Sequence, residues 1–266
     1  MEFITVSDKQ MLASHKVAIA ELFRECFGDR MSLELWEWAY IQNPNGEPVA
    51  GLCYDQERLV GHYAFVPMPL VSGTSRLNSY LSMTTMVAAS HRQHGLFVKL
   101  AAAAYERAAA LGVDFVMGFP NAASTPGFRK RLNWMLPDPD YVAAVSKAQL
   151  LAAAGELQRC TGALYGLDLA DAALRAWRME RPGASYVWHD GLLYKAFNGG
   201  IDLMYFASAD ALQGLPEDGK INLLVPSTFA AFADNKVFDY QFGGIAIAGV
   251  FDPARIRRQM CLSDVF

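Results

Sequence analysis

Apolar positions in this 266-residue chain change period several times, and each change marks an element. Residues 2–6 read as a short strand. Past Ser7 or Asp8, either of which can cap a helix, Ile19, Leu22, Phe23, Cys26 and Phe27 fall on one helical face that Gly28 ends. Residues 33–41 predict a second short helix carrying Trp36 and Trp38, stopped by the turn Asn43-Pro44-Asn45-Gly46. Residues 49–54 and 59–68 alternate as a hairpin across Asp55-Gln56-Glu57-Arg58, with Pro67 and Pro69 closing its second strand. Ser72-Gly73-Thr74-Ser75 then turns into a strand over 80–89. A helix over 96–111, a strand over 113–119 and a further helix complete the run to about residue 137.

The pattern is weaker beyond Pro137-Asp138-Pro139-Asp140. Residues 147–157 and 168–180 read as helices, and 184–189, 192–197, 203–207, 221–225 and 244–251 as strands. A helix over 227–234 between the last two gives the strand–helix–strand rhythm of the first half again. The expectation is two units, 1–137 and 138–266, the second being either a degenerate copy of the first or a plain α+β lid. The fold class is α/β in the broad, α+β sense.

Composition narrows the partners. With 53% hydrophobic and 19% charged residues, and a mean hydropathy of +0.12, the chain can bury an ordinary core. A net charge of −4 and a pI near 5.7 argue against nucleic acid and against anionic membranes. Cys26, Cys53, Cys160 and Cys261 lie too far apart for a zinc motif or a disulfide framework, so no metal is expected. With no signal-peptide pattern and no membrane-length apolar run, the expectation is a cytoplasmic protein.

The stretch Arg92-Gln93-His94-Gly95-Leu96-Phe97 sits between a strand's end and a helix's start. Such a turn presents unpaired backbone N–H groups at the positive end of a helix dipole, which suits a pyrophosphate. Taken alone, an ordinary strand–helix connection explains it as well. It carries one glycine, not the three of the dinucleotide pattern, which disfavours a nicotinamide cofactor.

The turn resembles the Q/R-x-x-G-x-G/A signature of the GCN5-related N-acetyltransferases (GNAT). Arg92 and Gly95 match its first two fixed positions, and Phe97 stands where the family has a small residue. Gly118-Phe119-Pro120-Asn121 through Phe128-Arg129-Lys130-Arg131-Leu132-Asn133-Trp134 resembles the strand, asparagine and helix that close the family's cofactor site. Trp177-Arg178, Arg181-Pro182, Tyr186 and the ending Asp264-Val265-Phe266 resemble acetyltransferases of surface-polysaccharide pathways.

The resemblance implies the GNAT fold, a mixed and mostly antiparallel sheet flanked by helices, and acetyl-CoA as cosubstrate. It places the pyrophosphate on the amides of Gln93, His94, Gly95, Leu96 and Phe97, with Arg92 and Lys99 supplying charge. It also lays the pantetheine along the strand before the turn. A main-chain N–H near Met86 or Val87 would polarise the thioester carbonyl, while the side chains of Thr84 and Thr85 read as ordinary strand residues. Asn121 either bonds the pantetheine or caps its turn; Asn133, in a glycine's place, tolerates a left-handed backbone. Where many members place an acidic tyrosine, this chain has Phe128 and Arg129, so the thiolate leaves unaided at a pKa near 8.5 or another group protonates it.

For the base, His62 leads because histidine titrates near neutrality, ahead of His91, His94, Glu34 and Glu37. Tyr80 and Ser82 are candidates for proton relay or substrate binding. Trp36 and Trp38 either roof a sugar-like acceptor or pack in the core. The expected function is acetyl transfer to a small-molecule amine, an amino sugar or a relative, by direct attack in a ternary complex. The alternative is a non-catalytic acyl-CoA-binding or partner-binding module. A homodimer stays open.

Overall fold

The chain builds two six-stranded sheets, seen in a computed structural model that describes residues 1–161 and 164–263. The ending Asp264-Val265-Phe266 lies outside the described residues. β1 (Glu2–Val6) leads to α1 (Lys9–Ser14), α2 (Lys16–Phe27) and α3 (Leu33–Tyr40). Of the two possible caps Asp8 serves, its carboxylate accepting Met11 N–H at 2.7 Å, and Gly28 closes α2 at φ +75°. The hairpin of β2 (Val49–Asp55) and β3 (Arg58–Pro67) turns on Gln56 and Glu57 alone. A small hairpin, β4 (Leu70–Ser72) with β5 (Ser75–Leu77), precedes β6 (Ser79–Val87). α4 (Leu96–Ala110), β7 (Phe115–Gly118) and α5 (Thr125–Arg131) follow.

The first sheet runs β1-β2-β3-β6-β7, antiparallel except between β6 and β7. α4 lies flat on one face because Gly51 and Gly61 lack side chains. A Cβ there would come within 2.8 Å of the Leu100 carbonyl oxygen and 2.7 Å of its side chain. α2 packs against β3 and β6, and Tyr40 of α3 meets the His62 ring.

The second sheet comes from β8 (Asp140–Val145), β9 (Tyr186–His189), β10 (Leu192–Phe197), β11 (Gly200–Phe206), β12 (Ile221–Val225) and β13 (Lys236–Tyr240), in the order β13-β8-β12-β11-β10-β9. α6 (Lys147–Thr161) packs Leu150, Ala154 and Leu157 into this sheet's core, and α7 (Ala172–Met179) turns towards the first. The sequence pattern missed β8, an alanine-containing run, and β13, an exposed edge. The strand–helix–strand unit expected over 221–251 does not form. Residues Ala230–Asn235 make only a 3₁₀ turn, and β14 (Gly243–Ala246) leaves the second sheet to pair with β7 in the first. Gly244 permits that pairing, since a Cβ there would lie 2.3 Å from the Phe115 ring. The chain thus crosses back over residue 137.

A pair of tryptophans also holds the halves together. Trp38 and Trp177 stack with centroids 4.6 Å apart and planes 9° from parallel. Each indole donates to the other's backbone carbonyl, at 2.6 and 2.8 Å. Near the C-terminus, Arg258 grips the buried carboxylate of Asp140 with two nitrogens. Among the described residues no helix is long and apolar enough to cross a membrane. Trp177→Ala empties the stacked site and leaves the Trp38 carbonyl without its indole donor, so it is expected to destabilise the protein by about 3–5 kcal/mol in urea denaturation.

Candidate active site

β6 and β7 pair over three positions only: Ser79 with Phe115, Tyr80 with Val116, and Leu81 with Met117. Beyond them the strands part and a cleft opens. Its inner part, about 500 Å³, is bounded by Ser82–Thr85 of β6 on one side and by residues 118–121, Phe128 and Trp134 on the other. The outer part, about 630 Å³, runs past Thr85, Met86 and Val87 to Arg92 and Gly95. At the vertex Gly118 lies beneath the Trp134 ring, where a Cβ would sit 3.1 Å from the nearest ring carbon and 3.5 Å from the Ser82 side chain.

The outer end is the anion cradle. A 3₁₀ turn over Ala89–His94 leads to Gly95 at φ +68°, and the Gly95 carbonyl accepts from Val98 and Lys99 to start α4. The amides of Leu96 and Phe97 therefore head the helix without helical acceptors. A Cβ on Gly95 would find nothing within 4 Å, so the space in front of these amides is free. Arg92 lines both parts of the cleft, and Lys130 and Arg131 bring two further cations from α5. Amides, helix dipole and cations together fit a diphosphate.

The other expected cofactor residues divide. Met86, Val87, Phe97, Asn121 and Phe128 line the cleft. Gln93 and His94 are exposed outside it and contact one another, and the Leu96 side chain is buried beside Gly61, leaving only its amide for a ligand. Phe97 turns from the cradle into an aromatic cluster with Tyr63 and Phe128, at 6.1 and 5.5 Å. Gly127 makes room for it, as a Cβ there would touch the Phe97 ring at 3.3 Å. Asn121 does cap its turn, Oδ1 accepting Ser124 N–H at 2.9 Å, while still facing the cleft. Asn133 takes φ +55°, and the Trp134 amide closes α5 on the Phe128 carbonyl. Cys26 and Phe27, read from periodicity as core, reach the cleft from the end of α2, and Phe27 is exposed.

Thr84 departs from the sequence reading. Along β3 the pairing steps from Ala64 to His62, while along β6 it steps from Met83 to Met86, so Thr84 and Thr85 together oppose Tyr63. This is a β-bulge, with Thr84 at φ +53°. For a β-branched residue that conformation costs about 1–2 kcal/mol. The bulge displaces the backbone of β6 where it forms the cleft wall.

Residues 9–136 match the family model described as acetyltransferase (GNAT) domain. That match spans 128 of the 266 residues, just under half of the chain, and the enzyme class it supports is an acetyl-CoA-dependent acyltransferase. No curated protein matches the sequence. Among solved structures, the fold resembles a GCN5-related N-acetyltransferase from Kribbella flavida, with 12% identity and a TM-score of 0.61 over 92% of this chain and 72% of that one. Eis1 from Mycobacterium abscessus gives 12% and 0.60 over 93% and 74%. A GCN5-related N-acetyltransferase from Anabaena variabilis gives 9% and 0.55 over 92% and 73%. These likenesses extend over both sheets and concern the fold.

Within the GNAT domain the remaining candidates separate by depth. His62 is fully buried, lines neither part of the cleft, and donates Nδ1–H to the Thr84 carbonyl at 2.7 Å. Burial holds its pKa down to about 4, against an upward pull from that hydrogen bond. Tyr80 lies on the paired stretch of β6 against Phe65 and also lines neither part. His91 pairs with Asp55 at 3.2 Å, and Glu37 with Lys16 at 2.5 Å. Ser82 does face the cleft and interacts with the Tyr63 phenol, the start of a buried chain. Tyr63 and Tyr105 join their hydroxyls at 2.6 Å, and the Trp134 indole donates to Tyr105 at 2.7 Å. Burial drives the Tyr63 pKa well up and that of Tyr105 to about 12, so both stay protonated.

A further pocket of about 300 Å³ shares Met83 and Thr84 with the cleft and lies against α3. Trp36 and Tyr40 stack along it at 5.4 Å, with Phe23, Met31 and Leu35, and Arg181 is its one charged lining residue. Trp38 also borders it, but its indole is committed to Trp177.

Gly118→Ala should press on Trp134 and destabilise the domain by about 1–3 kcal/mol in chemical denaturation. The His62 ring takes a proton near 6.5 when unfolded but only near 4 when folded, so between these values the unfolded state binds more protons. Stability should therefore fall as pH drops through that window, by up to about 1.4 kcal/mol per pH unit. The difference between wild-type and His62→Leu stability curves isolates this contribution.

Proposed function

We propose that the chain transfers the acetyl group of acetyl-CoA to the amine of a small molecule, by direct attack within a ternary complex. The observation that carries this is the forked β6–β7 cleft ending on the Gly95 cradle. An extended acyl-pantetheine lies along the free edge of β6 with its diphosphate on the Leu96 and Phe97 amides, Arg92 and Lys130. The thioester then falls beside the bulge, where amides released from pairing with β3 can stabilise the developing oxyanion. The acceptor enters through the aromatic pocket that meets the cleft at Met83 and Thr84. The partly exposed Phe23, Met31 and Leu35, backed by the buried Trp36 and Tyr40, give that pocket an apolar wall, and an amino sugar or a related amine is the acceptor favoured for it. A protein that binds acyl-CoA without turnover is the second reading, favoured by phenylalanine at position 128 where a tyrosine acid would stand.

Calorimetry with acetyl-CoA, followed by thiol release with a panel of amino sugars and other amines, tests both. Binding with turnover is expected. Binding without turnover on any amine supports the second reading, and no binding refutes both. Gly95→Glu should weaken acetyl-CoA binding by more than ~30-fold, because it sets a carboxylate against the diphosphate. An unchanged affinity would refute the cradle.

A further inference from the structure

Thr84 distorts β6 at the point where the cleft and the aromatic pocket meet. Strain of this kind persists only where neighbours impose it, and it marks places where geometry matters to function. His62 is the neighbour in question. Its ring is sealed between Tyr40 and the bulge, and the 2.7 Å bond to the Thr84 carbonyl fixes its tautomer, because a carbonyl only accepts. The proton therefore sits on Nδ1. The Nε2 lone pair is left in the core with no hydrogen-bond partner among the described residues. A leucine or phenylalanine would fill the same space without that orphan, but would leave the Thr84 carbonyl without its His62 donor. Packing alone gives no reason for a histidine there.

We propose that His62 is a positioning residue of the acetyl site. By holding the Thr84 carbonyl towards β3 it keeps the bulge in place, and the bulge turns the Thr85–Met86 backbone into the cleft, so that an amide there points at the thioester carbonyl. His62 touches neither acetyl-CoA nor the acceptor, and no proton passes through it. This role differs from that of a general base, which must reach the attacking amine. It rests on the acetyl-CoA reading of the cleft.

The test is infrared difference spectroscopy of acetyl-CoA labelled with ¹³C at the thioester carbonyl, bound near neutral pH. It compares wild-type protein, His62→Leu and His62→Asn, whose amide nitrogen occupies the place of Nδ1. The wild type should lower the carbonyl stretch relative to free acetyl-CoA. His62→Leu should return it to the free position, and His62→Asn should restore the shift. His62→Leu should bind CoA nearly as well as wild type and melt at an equal or higher temperature, while kcat falls about tenfold or more at unchanged KM for acetyl-CoA. In a Thr84→Gly background, where glycine adopts the positive φ without strain, His62→Leu should cost less. The same carbonyl band in wild type and His62→Leu overturns the proposal, as does an equal loss in both backgrounds. A wild type that binds acetyl-CoA with an unshifted band overturns it and leaves the cofactor assignment intact. A wild type that binds no acetyl-CoA refutes both.

Discussion

The parting of β6 from β7 is the constraint on which the rest of the site depends. Backbone N–H and C=O groups in a sheet normally find partners, and a strand that loses its neighbour must offer them to something else. Here pairing stops after Leu81 and Met117, and the vertex is wedged by Trp134, which fits only because residue 118 has no side chain. The released edge of β6 becomes a row of donors and acceptors facing a cleft. On the proposed acetyl-CoA reading, the cradle at one end and the bulge at the other set where an acyl-pantetheine begins and where its reactive carbon lies.

The second half completes the first. β14 caps the free edge of β7, Trp177 and Arg178 close over Trp38, and Phe242, Met260 and Cys261 fill the same core as α3. α3 carries the aromatic rings of the pocket beside Thr84, so contacts from the second half hold that pocket's wall in place. In this arrangement the aromatic pocket is positioned by the whole chain, whereas the β6–β7 cleft is lined from within residues 9–136.

Much of the CoA side was legible in the sequence. Local rules were sufficient for a cap at Ser7 or Asp8, the left-handed Asn133, and the strand–turn–helix order around Arg92. Each depends on a few neighbouring residues and on backbone sterics. The same rules failed for β8, whose alanines give little strand signal. They gave a strand over 244–251 but not its place in the first sheet, because the partner of β14, β7, lies more than a hundred residues earlier. The candidate side chains fared by depth: Arg92, Phe97 and Ser82 reach the cleft, while His62 and Tyr80 do not. Alternation along a strand says that two residues share a face. It does not say which helix covers that face.

The sequence by itself determined the electrostatic character of the turn at Gly95, because a glycine at a helix start and a cation beside it have the same meaning for an anion in any surroundings. Tertiary structure decided the acyl end. The Thr84 bulge exists only because β3 and β6 pair out of step, and His62 is buried only because α2 packs on β3 and β6 and Tyr40 of α3 closes on its ring. The glycine at 127 that admits Phe97 and the one at 118 that admits Trp134 are likewise answers to atoms distant in the chain. Close packing, unlike a helix dipole, is a property of pairs that only folding brings together.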